Sequence, residues 1–153
     1  MFCEVDPADF LDRHARNRVR LDATDVERSR ICEWPEAMLA DMAFLYWYES
    51  RTTRAIPRKR GDRGSGLSLE GRRVDVVWSP LPRSLDVAVD ALWFDLYVLV
   101  GSWDALDHGI LGFATDGALS RCQAVESSGK LVKSIPLADL KPMYEFADEF
   151  LFC

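Results

Sequence analysis

The sequence predicts an α+β fold, with N-terminal helices packed on a C-terminal antiparallel sheet and a short closing helix. Helix-start signals cluster before residue 50, and alternating or β-branched apolar runs cluster after residue 72. The two patterns are grouped rather than interleaved, as they would be in repeated βαβ units. The chain has 153 residues, of which 48% are apolar, including five Trp, eight Phe and four Tyr. A chain of about 150 residues buries roughly 70% of its unfolded surface, so residues 1–153 are expected to form a single α+β domain.

Three helix starts fall in the first third. In "VDPADFLDRH", Asp6 is placed to cap and Pro7 occupies the first helical position, where a missing N–H costs nothing. "TDVERSRIC" sets Thr24 and Glu27 at the capping-box spacing. "EWPEAMLADMAFLYWYES" is the strongest helix. Pro35 and Glu36 lie in its first turn, and Met38, Leu39, Met42, Leu45 and Tyr46 recur at three- and four-residue steps. Phe44 and Trp47 widen the apolar face, so burial on most sides is expected.

Arg51 to Gly71 breaks the pattern. Pro57 and the glycines at 61, 64, 66 and 71 interrupt any helix, and the segment holds little to bury. It is expected to be a basic, mobile loop joining a helical part (1–50) to a sheet part (72–153), longer than most loops inside compact domains. Beyond it, "RRVDVVWSP" alternates Val74, Val76 and Trp78 and reads as a strand ended by Pro80 and Pro82. Trp93 to Val100 has the composition of a buried strand, whereas Leu85 to Ala91 fits either a strand or a helix. Asp116-Gly117 and Ser128-Gly129 mark turns of an antiparallel meander. "PMYEFADEFLF" reads as the closing helix, opened by Pro142.

Several function classes lack support. No apolar run approaches the roughly 18 residues that span a bilayer, and "MFCEVDPADF" lacks the basic-then-apolar layout of a secretory signal, so a cytoplasmic location is expected. Cys3, Cys32, Cys122 and Cys153 form no CxxC pair, which fits free thiols rather than a zinc or redox motif. "GDRGSGLS" lacks the spacing and lysine of a phosphate loop, and with two histidines in the chain no metal or other cofactor is expected.

The net charge of −6 hides an asymmetry. Arg51 to Arg73 holds eight basic residues against Asp62 and Glu70, a local +6 that leaves −12 on the rest of the chain. An acidic surface steers a basic partner toward it. The residues expected to form that protein-binding surface are Asp86, Asp90, Asp95, Asp104 and Asp107, with Trp103 as apolar anchor. The first expectation is thus a non-enzymatic acidic binding protein that inhibits or regulates a macromolecular partner, of the immunity or antagonist type. A nucleic-acid-binding protein using residues 51–73, chiefly Arg58, Lys59, Arg60 and Arg63, is the first alternative, although a stacking platform is missing there. A small enzyme built on Asp104, Asp107 and His108 is the second. Ser102, Asp104 and Gly109 also suit an ordinary capped turn that needs no catalytic role.

The tail "KLVKSIPLADLKPM" is similar to the closing strand of small SH3-like and Tudor barrels, over roughly a dozen residues. The resemblance implies a strand followed by a tight turn; the aromatic cage of those barrels has no residue-by-residue counterpart, and no function is carried across.

Overall fold

A computed structural model describes residues 6–28, 35–51, 67–69 and 71–146. Helix α1 (Pro7–His14) starts as expected, with the Asp6 carboxylate accepting from the Ala8 N–H at 3.1 Å. A short strand, β1 (Asn17–Arg20), follows where only helices were expected. Helix α2 (Ala23–Arg28) takes its cap two residues earlier than the capping box suggested: Asp22 accepts from the Thr24 N–H at 2.7 Å, so Thr24 lies inside the helix. Helix α3 (Pro35–Arg51) has the expected extent and buries Leu39, Ala40, Met42 to Leu45, Trp47 and Tyr48. Among the described residues no helix is long and apolar enough to cross a membrane.

The sheet part comprises β2 (Leu67–Leu69), β3 (Arg72–Trp78), β4 (Ser84–Ala88), β5 (Leu96–Ser102), β6 (Asp107–Thr115), β7 (Ala124–Ser127) and β8 (Lys130–Pro136). Leu85 to Ala91 divides into β4 and a 3-10 turn at Val89–Ala91, and β5 starts at Leu96, three residues later than the composition suggested. Asp116-Gly117 opens a short helix, α4 (Asp116–Ser120), capped by Thr115. Ser128 and Gly129 both have positive φ, as expected for the tight turn joining β7 to β8. The closing segment is a 3-10 turn at Met143–Glu145 ending at Phe146; its continuation lies outside the described residues. β8 followed by a 3-10 turn at Leu137–Asp139 gives the strand and turn implied by the barrel resemblance.

The content is mixed α and β, but the single antiparallel sheet is replaced by two sheets. One is five-stranded, in the order β1-β6-β5-β3-β2; the other is three-stranded, β4-β8-β7. The β3–β5 pair is parallel, Val74 facing Leu96 and Trp78 facing Val100. A parallel pair needs a crossover, and here it runs through β4 in the other sheet. β5 is buried from Leu96 to Gly101 on both faces, which accounts for its unbroken apolar run. On one face Val76, Val98, Ile110 and Phe113 pack against Phe44 of α3, with the Phe146 ring edge-on to Phe113 at 5.1 Å. On the other, Leu11, Tyr97 and Leu99 meet Leu85, Val87 and Ile135 of the smaller sheet.

Gly112 shows how tightly the layers meet. A Cβ there would lie 2.9 Å from the Leu140 Cβ and 3.0 Å from the Lys141 carbonyl oxygen. Paired hydrogen bonds between Phe113 and Lys141, at 3.0 and 2.9 Å, hold that backbone in place. Gly112→Val is therefore expected to cost about 1–3 kcal/mol or more by overpacking, read as a lower urea midpoint with an unchanged slope; a wild-type midpoint would show that the Leu140 segment yields.

Candidate functional site

The described structure does not gather the acidic set into one surface. Asp95 precedes β5 and Asp104 follows it, so the length of a seven-residue strand, roughly 20 Å, separates them. Asp86 lies on β4, where its Oδ1 accepts from the hydroxyls of Ser84, at 2.9 Å, and Ser134. Asp90 is in the 3-10 turn after it. The Asp95 carboxylate accepts from the Arg73 N–H at 2.8 Å.

Asp104, Asp107 and His108 each have local structural work. Asp104 Oδ1 accepts from the N–H groups of Leu106 (2.9 Å) and Asp107 (3.0 Å), closing the turn between β5 and β6. Asp107 is 6% exposed and accepts from Arg18 through Nε (3.0 Å) and Nη2 (2.7 Å), with Arg20 at 3.5 Å. The expectation that Asp107 faces a partner is corrected by this burial. His108 is 1% exposed; its Nε2–H donates to the Ala105 carbonyl at 3.1 Å, and among the described residues its buried Nδ1 has no partner. Successive strand residues point to opposite faces, so Asp107 and His108 do not converge. No group of three or more metal-ligating side chains is present among the described residues.

Trp103, the expected anchor, is held in place. Its indole N–H donates to Asp12 Oδ1 at 2.8 Å, and the Arg18 guanidinium covers its ring at 4.3 Å. Gly109 makes room for this arrangement, because a Cβ there would meet the ring at 3.3 Å and the Ala15 Cβ at 2.7 Å. Trp93, assigned to a buried strand by composition, is 53% exposed, with the Arg73 guanidinium over it at 4.4 Å. Trp34 and the basic residues Arg58, Lys59, Arg60 and Arg63 lie outside the described residues.

The hydrogen bonds from Arg18 hold the Asp107 carboxyl below its ordinary range, against the opposing effect of burial. A depressed carboxylate contributes stability that is present above its unfolded pKa and is lost as pH falls through the folded value. Asp107→Asn is therefore expected to lower the urea midpoint at pH 7, with the gap to wild type narrowing below about pH 4. Equal midpoints at pH 7 would show that the Arg18 pair adds nothing to the fold.

What the fold does assemble is a basic groove. Arg16, Asn17, Arg18, Val19 and Arg20 of β1 and its approach meet Tyr46, Trp47, Ser50 and Arg51 of α3 around about 400 Å³, a volume within the usual range for ligand clefts. Among the described residues no acidic side chain lines it, although Asp107 reaches Arg18 and Arg20 from the β6 side. Trp47 fastens the two elements, its indole N–H donating to Asn17 Oδ1 at 3.3 Å while Arg51 lies 5.7 Å from the ring centroid. Arg18 and Arg20 keep 59% and 70% of their side chains exposed despite their contact with Asp107. The site was missed because its halves lie thirty positions apart. The available signal was the spacing of Arg16, Arg18 and Arg20, which is the period of a strand face. No family model, curated protein or solved structure matches this chain.

Proposed function

We propose that the chain is a non-enzymatic binding protein that inhibits or regulates a protein partner, and that the partner's acidic segment docks in the β1–α3 groove. The observation that carries this is the lining of that groove among the described residues: four arginines and two aromatic residues, with Arg16 and Arg51 outside any ion pair and Arg18 and Arg20 sharing the single carboxylate of Asp107, on a chain of net charge −6. The groove keeps the class expected from sequence, a macromolecular binder, and moves its contact surface from the scattered aspartates to β1. Arginine forks suit carboxylates, and rim charges of this kind govern association rate and salt dependence.

The test uses immobilised wild type and the Arg16→Glu, Arg20→Glu, Arg51→Glu variant, both exposed to nuclease-treated lysate of the native host. Arg18 is left intact because it anchors Asp107. A stoichiometric protein retained by wild type and lost from the variant is the expected result; equal retention by both contradicts the proposal.

Nucleic-acid binding is a second reading, favoured by one observation: Arg51, which lines the groove, begins the basic run containing Arg54, Arg58, Lys59, Arg60 and Arg63. It predicts affinity for oligothymidine that falls steeply with salt and with alanine at Arg58, Lys59, Arg60 and Arg63. Absence of binding at low salt disposes of it.

A further inference from the structure

Strand β1 offers more than charge. It ends the five-stranded sheet, and its antiparallel register sets Asn17 opposite Ile110, Arg18 opposite Gly109, Val19 opposite His108 and Arg20 opposite Asp107. Continuing that register, the Leu21 N–H donates to the Leu106 carbonyl at 2.6 Å. Hydrogen-bonded and non-hydrogen-bonded pairs alternate along an antiparallel ladder. Asn17, Val19 and Leu21 thus turn their backbone groups toward β6, and Arg18 and Arg20 turn theirs away from it. Among the described residues, no hydrogen bond engages the backbone N–H or C=O of Arg18 or Arg20 on that outer side.

We infer that the partner's acidic segment binds as an added β-strand along β1, pairing its backbone with Arg18 and Arg20 and setting acidic side chains at alternate positions against the groove arginines. This rests on the groove being the binding surface, as proposed above. Strand addition draws affinity from main-chain hydrogen bonds and selectivity from alternate side chains. Both components are on the same element here: an edge unpaired among the described residues and arginines at strand spacing.

Charge selects the occupant. A second copy of β1 would bring arginine against arginine, and like charges directly opposite destabilise a strand pair. An exposed edge flanked by charge is protected against neutral or identical strands, and the same charge favours an acidic one. A single-stranded nucleic acid would need open ring faces for its bases. Trp47 is only 7% exposed, and its N–H is already bound to Asn17.

The test uses the full chain and an acetylated peptide of about eight residues that alternates glutamate with valine, long enough to cover β1 with overhang. Its counterpart carries N-methyl groups on the alternate amides that face the protein. Native protein is expected to bind the first peptide, to slow amide exchange at Arg18 and Arg20 in the complex, and to bind the N-methylated peptide at least roughly tenfold more weakly. On the protein side, Arg20→Ala removes a charge and keeps the outward N–H, whereas Arg20→Pro removes both. Edge strands tolerate proline, and far-UV circular dichroism checks that the fold persists. The proline variant is expected to bind roughly tenfold more weakly than the alanine variant. Equal binding of both peptides with unchanged exchange at Arg18 and Arg20, while the triple glutamate variant still loses binding, overturns strand addition and leaves the groove proposal standing. Binding of oligothymidine without binding of peptide overturns it in favour of nucleic acid. No peptide binding at low salt, or binding untouched by the triple variant, contradicts both the inference and the groove.

Discussion

Replacing Asp41 with asparagine is expected to stabilise the protein by about 2–4 kcal/mol at pH 8 and by much less at pH 5. Asp41 is half-buried on α3, between Ala40 and Met42, both buried. Burial, followed by the nearby charge of Asp75, pushes its carboxyl up to about 7; burial likewise pushes Asp75 up to about 6. Among the described residues, no hydrogen bond or ion pair offsets the charge on Asp41. A group whose folded pKa exceeds its unfolded value, about 4 for aspartate, favours the folded state when protonated. That contribution is full below the unfolded pKa and is lost as pH rises through the folded one. For Asp41 the loss falls between about pH 4 and pH 7, so ionisation at pH 8 works against the fold. His108 acts in the opposite sense, because burial lowers its pKa and its protonation disfavours the folded state as pH falls below about 6.5. Comparing Asp41→Asn with wild type at each pH removes that background. Urea unfolding at pH 8 and pH 5 is the check; a gain at pH 8 that does not shrink at pH 5 would mean that the burial of Asp41 is harmless.

The second large effect is expected at the groove. Reversing Arg16, Arg20 and Arg51 together should weaken binding of the acidic peptide by about 2–4 kcal/mol at low salt, roughly 30- to 1000-fold, since each exposed attraction of up to about 1 kcal/mol becomes a repulsion. Added salt should shrink the difference, because charges in an open groove are screened over about 8–10 Å at physiological ionic strength. Arg16 makes no ion pair among the described residues, and Arg20 is only a secondary contact of Asp107 at 3.5 Å. The fold should therefore survive the change, with a thermal midpoint lowered somewhat because the new carboxylate at position 20 lies opposite Asp107; unchanged affinity in a folded variant would remove the groove from consideration.

Local signals in the sequence were legible where structure is decided locally. The Asp6 cap, the three- and four-residue spacing of α3, the alternation of β3 and the Ser128-Gly129 turn all appear where the residues place them. The failures share a cause in distant pairing. β1 has four residues, two of them exposed arginines, and becomes a strand through β6, 89 positions away at the Arg18–Asp107 pair. The parallel β3–β5 pair was hidden because its crossover runs through another sheet, where a helix is the usual signal. At the site a turn does form, but Asp104 rather than Ser102 closes it and Gly109 lies within β6; nothing local to Asp107 foretells its pairing with Arg18. The groove itself exists only once the Asn17–Trp47 contact brings α3 against β1.

The most direct test sets the two charged surfaces against each other. The affinity of the glutamate–valine peptide should be measured by fluorescence anisotropy at low salt for wild type, for Arg16→Glu, Arg20→Glu, Arg51→Glu, and for Asp86→Lys, Asp90→Lys, Asp95→Lys, Asp104→Lys. Loss of binding in the arginine variant, with binding kept or strengthened in the aspartate variant, is the result expected of a β1–α3 binding surface. Binding that persists in the arginine variant and disappears in the aspartate variant would contradict it.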